Sequence, residues 1–189
     1  DYETKASYTL TVTVSDGTTT QTASDVVVTI TDSDVTIPSG QSSSVNEDAS
    51  SGATVMTVSA TGDTPSNWVI SAGNTGTAFA ISSAGVITTA ASLDYETTTS
   101  YTLTLVAYDS VSSDVATVTI TVNNINDAPS AGVDQSGSVT EDASTTTATG
   151  TVTGADADTA DTLSYATSST SGTYGTFAIN SATGAWTYT

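Results

Sequence analysis

Residues Leu93 to Pro129 read LDYETTTSYTLTLVAYDSVSSDVATVTITVNNINDAP. The stretch opens on two acids one residue apart, Asp94 and Glu96. Apolar and polar residues then alternate, with Tyr101, Leu103, Leu105 and Ala107 on one side of the pattern. A second run repeats this with Val115, Val118, Ile120 and Val122. Alternation of this kind marks β-strands with one buried face, because successive side chains point to opposite faces of a sheet. The stretch closes on Asn124, Asn126 and Asp127, just before Pro129. Two strands therefore run between two clusters of oxygen-bearing side chains. A hard cation such as calcium draws several oxygens from separate parts of a fold, and carboxylates, amides and carbonyls all qualify.

The pattern recurs along the chain. DYETKASYTLTV at Asp1 matches DYETTTSYTLTL at Asp94, and SVNEDASSGATVMTVSATGD at Ser44 matches SVTEDASTTTATGTVTGADAD at Ser138. Phe79-Ala80-Ile81 likewise matches Phe177-Ala178-Ile179. A period of roughly 90–100 residues filled with short strands is that of an immunoglobulin-like sandwich. It is too long for a propeller blade or a helical solenoid unit.

Three segments follow. Residues 1–34 supply strands around Tyr8–Val14 and Val26–Thr31, with Asp16-Gly17 as the turn between them, and read as the last strands of a repeat. Residues 35–129 read as a complete repeat. Its strands are expected near Ser42–Asn46, Thr54–Ala60, Trp68–Ser71, Ala78–Ile81, Val86–Thr88, Ser100–Ala107 and Ala116–Val122. Trp68 is expected to plug its core. Residues 130–189 carry the front half of a further repeat. The beginning and the end of the chain thus look like complementary halves of one sandwich, cut as a window from something longer.

Composition narrows the function. The net charge is −19, and Lys5 is the only basic residue. Phosphate binding needs Lys and Arg, so nucleic acid is excluded as a partner, and an anionic membrane surface likewise. The charge also suits plain solubility in a salty medium. With no cysteine and no histidine, disulfides, zinc sites and the common catalytic triads cannot be built. Paired carboxylates could hydrolyse glycosides in principle, but every pair here sits in a repeated linker motif, so no enzyme is expected. No apolar run is long enough for membrane insertion, and no secretory signal is seen.

The motifs carry a family resemblance. LDYE at Leu93 resembles the LDRE motif of cadherin repeats, and Ala107-Tyr108-Asp109 their A-x-D motif. Asn124-Ile125-Asn126-Asp127-Ala128-Pro129 resembles their D-x-N-D-N linker, in the shorter form of bacterial cadherin-like repeats. TGTVTGADADTADTLSY, followed by GTYGTFAINSATGAWTYT, resembles the bacterial repeat family called VCBS. The resemblance spans nearly the whole chain. It implies an all-β fold of tandem cadherin-like Greek-key β-sandwiches.

It also implies calcium at the junctions between repeats. Carried over position by position, the junction after the second segment would use Glu47, Asp94, Glu96, Asn124, Asn126, Asp127, Asp156 and Asp158. Five of these are carboxylates, whose mutual repulsion a divalent ion would relieve. The one-residue spacings of Asp94/Glu96 and of Asp156/Asp158 would set each pair on one face of an extended strand. Each motif by itself also reads as a turn, since Asp and Asn side chains bond to local backbone. The chain departs from the family in four places. Asn124 stands where an Asp is usual, the linker lacks its final Asn, Gly62-Asp63-Thr64 stands where the D-x-D motif falls, so that the motif is lost or slipped, and the linker before it, Thr31-Asp32-Ser33-Asp34, is not NDAP-like. The first junction is therefore expected to bind fewer ions or bind more weakly, through Asp1, Glu3, Asp32, Asp34 and Asp109.

By resemblance, the role would be that of extender repeats in a secreted adhesin or fibre on a bacterial cell surface. The partners would be neighbouring repeats of the same protein. Head-to-tail self-assembly is also possible, with Asp16 of one chain completing the Asp156/Asp158 site of another. The alternative is a carbohydrate- or protein-binding module using loops around Trp68 or Tyr174.

Overall fold

The computed structural model describes residues 2, 4–141, 146–172 and 174–189, with the backbone alone at residue 23. The chain divides into two compact units, Asp1–Asn124 and Ile125–Thr189.

The first unit opens with an antiparallel hairpin of β1 (Ser7–Ser15) and β2 (Thr20–Thr29). Tyr8 lies opposite Val28 and Leu10 opposite Val26. Seven further strands follow: β3 (Ser42–Asn46), β4 (Thr54–Thr57), β5 (Asn67–Ala72), β6 (Phe79–Ile81), β7 (Val86–Thr89), β8 (Ser100–Tyr108) and β9 (Ser113–Asn123). They form two sheets, ordered β3-β9-β8-β5 and β4-β7-β6. β3 pairs with β9 in parallel, and all other pairings in these sheets are antiparallel.

The core of this sandwich is built by period-two alternation. Leu103, Leu105 and Ala107 of β8 and Val118, Ile120 and Val122 of β9 are buried, and meet Phe79 and Ile87 from the other sheet. Tyr101 meets Phe79 edge-on with ring centroids 5.1 Å apart. β-Branched residues suit this pleated, half-buried surface. Trp68 is buried, as its sequence context suggests. Its indole covers Gly85, where a Cβ would come 3.1 Å from Trp68 Cε2. The strand expected over Thr54–Ala60 ends at Thr57, yet Val58 stays buried and its N–H donates to the Gly85 carbonyl.

The second unit contains β10 (Ser130–Ala131), β11 (Ala148–Thr151), β12 (Gly154–Ala155), β13 (Ser171–Gly172), β14 (Gly175–Ile179) and β15 (Ala185–Tyr188). β10 pairs with β12, and the other four strands form a sheet ordered β11-β15-β14-β13. This sheet repeats the β4-β7-β6 arrangement. Trp186 lies opposite Gly150 and Ile179, as Ile87 lies opposite Met56 and Ile81. The bulk is redistributed: a Cβ on Gly150 would come within 2.6 Å of the Trp186 indole. Trp186 stacks on Phe177 with centroids 5.7 Å apart and an interplanar angle of 24°.

Candidate calcium-binding sites

Among the described residues, three groups of acidic side chains stand out. In the first unit, Glu47 follows β3, while Asp94 and Glu96 precede β8. One carboxylate oxygen from each lies within 4.8 Å of the others. Oxygens bound to calcium lie at about 2.3–2.6 Å, so two ligands across the ion stand up to about 5 Å apart, and the spacing fits. The backbone fixes this group. Glu47 N–H donates to the Asn123 carbonyl at 3.2 Å, tying it to the end of β9. Glu47 Oε2 accepts the Tyr95 N–H at 2.6 Å.

The route to this convergence differs from the one the spacing predicts. Asp94 and Glu96 do not share the face of an extended strand. They lie in a turn, closed by Thr98 N–H donating to the Asp94 carbonyl at 2.9 Å. Asp94 itself accepts the Thr97 N–H at 2.9 Å and the Thr97 hydroxyl at 2.8 Å. The turn reading and the ligand reading of this motif therefore coexist, because a carboxylate has about four lone-pair positions.

The second group surrounds Asp32, also in the first unit. Asp32 Oδ1 is fully buried and has no hydrogen-bond partner. Its pKa is raised, first by desolvation and then by the charge of Asp63, with smaller contributions from Asp109 and Asp34. Asp63 stands outside the ligands expected from the sequence, which read Gly62-Asp63-Thr64 as a D-x-D motif lost or slipped. The slipped alternative is the one that fits, since Asp63 acts on Asp32 while the first position of the pattern is Gly62. The geometry explains the glycine: φ is +82°, and a Cβ there would come 2.0 Å from the Asp34 carbonyl oxygen. Residues 33 and 34 pack directly on this loop, with Asp63 N–H donating to the Ser33 carbonyl at 2.9 Å. The acid is thus carried one position later.

Asp109 is engaged differently. Its Oδ1 accepts the N–H groups of Val111 and Ser112, and its Oδ2 accepts the Ser112 hydroxyl and the Val35 N–H. The Ser112 hydroxyl, followed by the backbone donors of Val111 and Ser112, holds its pKa well below the usual carboxylate range. Asp114 acts in parallel, its Oδ2 accepting the Ile37 N–H at 2.6 Å. Together they latch the segment after Asp34 to the β8–β9 turn. Asp16 performs the same service in the β1–β2 turn. Its Oδ1 accepts from the backbone and hydroxyls of Thr18 and Thr19, which lower its pKa strongly.

The third group lies in the second unit. Asp158 is buried, and its Oδ2 accepts the Asp127 N–H at 2.7 Å. Asp158 N–H in turn donates to Asp156 Oδ1 at 3.0 Å. This is a local turn bond, so Asp156 and Asp158 do not follow strand alternation either. Asn126 is exposed and donates to the Asp127 carbonyl at 2.6 Å. Asn124 is exposed at the end of the first unit. Asp1 and Glu3 lie outside the described residues.

Comparison with known proteins bears on the fold. The cadherin domain family model matches residues 41–123. The chain is similar to mouse cadherin-23 EC22-24, with a TM-score of 0.55 and 24% identity over 99% of this chain and 65% of that one. For mouse protocadherin-24 EC1-3 the TM-score is 0.54, with 25% identity over 99% and 67%.

The fold is cadherin-like.

Protocadherin gamma B2 extracellular cadherin domains 3-6 give a TM-score of 0.52 and 22% identity, covering 99% of this chain and 51% of that one. No curated protein sequence matches the chain. Among the described residues, no helix is long and apolar enough to cross a membrane.

Proposed function

We propose that this chain is a run of calcium-stiffened extender repeats from a large extracellular protein, of the bacterial cadherin-like and VCBS sort. The reading divides it into residues 1–34, 35–129 and 130–189. The observation that carries it is the approach of Glu47, Asp94 and Glu96 carboxylates to within 4.8 Å of one another. Like charges held this close repel unless a cation sits among them.

Glu47, Asp94 and Glu96 would supply calcium ligands in the first unit, beside Asn124. Asn126, Asp127, Asp156 and Asp158 would supply them in the second. Asp32, Asp34 and Asp63 would form a weaker set, with Asp1 and Glu3 as further contributors. Asp109 would add its charge more than its oxygens, since four donors already occupy them. A bound divalent ion supplies charge neutralisation and a rigid oxygen cage. The residues hold the linker ends in place for it. The role is mechanical and not catalytic.

The test is a thermal melt in chelator and in millimolar calcium, beside calorimetric titration. Binding that occurs only in the folded state adds ~2.7 kcal/mol at a hundredfold excess over the dissociation constant. Glu47→Gln should remove part of the calcium response while leaving the chelator melt near its original value. Melts that coincide in the two solutions would overturn the reading.

A second reading, a carbohydrate-binding module, draws support from Tyr174 alone, which is 93% exposed. Trp68 cannot serve it, being buried in the core. Glycan binding lost in Tyr174→Ala would favour that reading over the extender.

A further inference from the structure

Chain continues on both sides of the β3–β9 sandwich, so tension along it enters near Ser33 and leaves at Asn123. β3 pairs with β9 in parallel, from Ser42 opposite Thr119 to Asn46 opposite Asn123. In a parallel pair the start of one strand and the end of the other lie at opposite ends of the ladder. Tension that comes in before Ser42 and goes out after Asn123 therefore runs along the ladder and loads its evenly spaced bonds together. Pulling from the Asn46 end of β3 would open the same bonds one at a time.

The line extends upstream of β3. Ile37 N–H donates to Asp114 Oδ2 at 2.6 Å, across the same offset of 77 residues that separates Ser42 from Thr119. Ile37 thus continues the parallel register, with a carboxylate in the place of a ladder carbonyl. Val35 N–H donates to Asp109 Oδ2 at 3.0 Å. Hydrogen bonds to a charged acceptor are roughly twice as strong as neutral ones. On its other side the segment is held by backbone. Thr36 exchanges both of its backbone bonds with Thr61, each at 2.8 Å, and the Ser33 carbonyl accepts the Asp63 N–H at 2.9 Å. Val35 and Ile37 are buried, at 2% and 4% exposure. Pro38, Ser39 and Gly40 then turn the chain toward β3, with Gly40 at φ +78°. The Gln41 side chain spans this turn, donating to the carbonyls of Pro38 and Ser59.

We infer that residues 33–46 form the load-bearing line of this sandwich and that the line yields in two stages. The segment 33–37 meets the tension first. The turn behind it lets it leave without disturbing β3, and the β3–β9 ladder then holds in shear. Release of residues 35–41 frees about 23–25 Å of chain, at ~3.3–3.6 Å per residue. The segment is therefore a short extensible stop in front of a stiff clamp. Asp109 and Asp114 are the positioning residues that set its strength. This adds to the extender reading a property in which no cation takes part.

Single-molecule stretching of the full 189-residue chain in chelator tests this. The chain has no cysteine, so introduced pairs place the handles without ambiguity. Thr31→Cys with Ala128→Cys loads the ladder in shear, and Ser50→Cys with Ala128→Cys peels it from the Asn46 end. All three positions are exposed. The shear pair should hold to a severalfold higher force than the peel pair. Its traces should show a short first step of the length given above, then a long one. Asp114→Ala should lower the force of the first step and leave that of the second unchanged. Asp114→Asn, which keeps an acceptor oxygen for Ile37, should restore much of the loss. Equal forces in the two geometries overturn the load line. Rupture in a single step, or a first step indifferent to Asp114→Ala, overturns the two-stage release. A variant that weakens both steps alike is generally destabilised, and overturns the role of Asp114. Calcium melts that fail while the difference between shear and peel persists would sink the calcium reading and leave the load line intact.

Discussion

The β8–β9 and β1–β2 hairpins share a sequence pattern and a register but live in opposite environments. In β8–β9, Leu103, Leu105, Val118 and Ile120 are fully buried against a second sheet. In β1–β2 the matching apolar residues face solvent. Alternation thus encodes a strand pair with one sticky face. It does not encode whether that face is covered, which depends on a facing sheet from elsewhere.

The sharpest way to break this comparison is to truncate matching leucines. Leu103→Ala should cost about 2–5 kcal/mol in denaturant unfolding, because it removes transfer energy and leaves a cavity. Leu10→Ala in the monomeric chain should stay within about 0.5 kcal/mol, as for an exposed position away from special features. Equal costs would mean that the β1–β2 face is covered in solution.

A second contrast separates two glycines. Gly40 and Gly62 both have positive φ, at +78° and +82°. Around Gly40 a Cβ would meet nothing within 4 Å, whereas at Gly62 it would collide with the Asp34 carbonyl. Gly40→Ala should show only the left-handed backbone cost, about 1–2 kcal/mol. Gly62→Ala should cost more, and should also weaken the calcium response, because it pushes Asp34 off the Asp63 loop. Melting temperatures in chelator and in calcium read both effects.

Much of this was legible in the sequence. Period-two alternation located the strands of the sandwich, and Ser42–Asn46 emerges as β3 with the expected bounds. The acids of LDYE do gather with Glu47. The means of gathering was legible only as the turn reading of the motif, not as the strand reading. Strand alternation put Asp94 and Glu96 on one face, but the chain makes a turn there, because Asp94 can bond to the backbone of Thr97. Asp63 was legible only as one of two alternatives, a motif lost or slipped: a motif scan sees the missing acid at position 62 and cannot see the carbonyl that forbids a side chain there. Likewise, the latching of Val35 and Ile37 by Asp109 and Asp114 is a contact across more than seventy residues, which no local pattern records.

Asp109 and Asp16 extend the comparison to acid. Both carboxylates have pKa values held far below the ordinary 3.8 by local donors. A depressed folded value means stabilisation that is fully present above the unfolded pKa and is lost as pH falls below it. Asp109 joins two segments distant in sequence, whereas Asp16 closes only its own turn. Asp109→Asn should therefore lower the neutral-pH melting temperature measurably and flatten its fall below pH about 3.8. Asp16→Asn should change the melt of the sandwich little. A variant with unchanged acid sensitivity would remove Asp109 from this role.

Asp32 should show the opposite sign, and the smallest effect. Its folded pKa is raised above 3.8 by desolvation and by Asp63. The folded state then binds a proton more tightly than the unfolded chain. Stability falls as pH rises from the unfolded value through the folded one, and at neutral pH the full cost of the ionised group is present. In chelator, mild acidification into the window just above pH about 4 should raise the melting temperature before the losses at Asp109 and Asp16 set in below it. Asp32→Asn should abolish that rise and make the chelator melt slightly higher at pH 7. Calcium should reverse the ranking. A cation held by Asp32, Asp34 and Asp63 turns the buried charge from a cost into a ligand, so wild type should gain more from calcium than the variant does. If Asp32→Asn lowers stability equally in chelator and calcium, Asp32 is a structural acceptor and the second acidic group is not a cation site. If the variant is more stable in chelator and less responsive to calcium, the charge cluster is kept at a cost to folding for the sake of the ion.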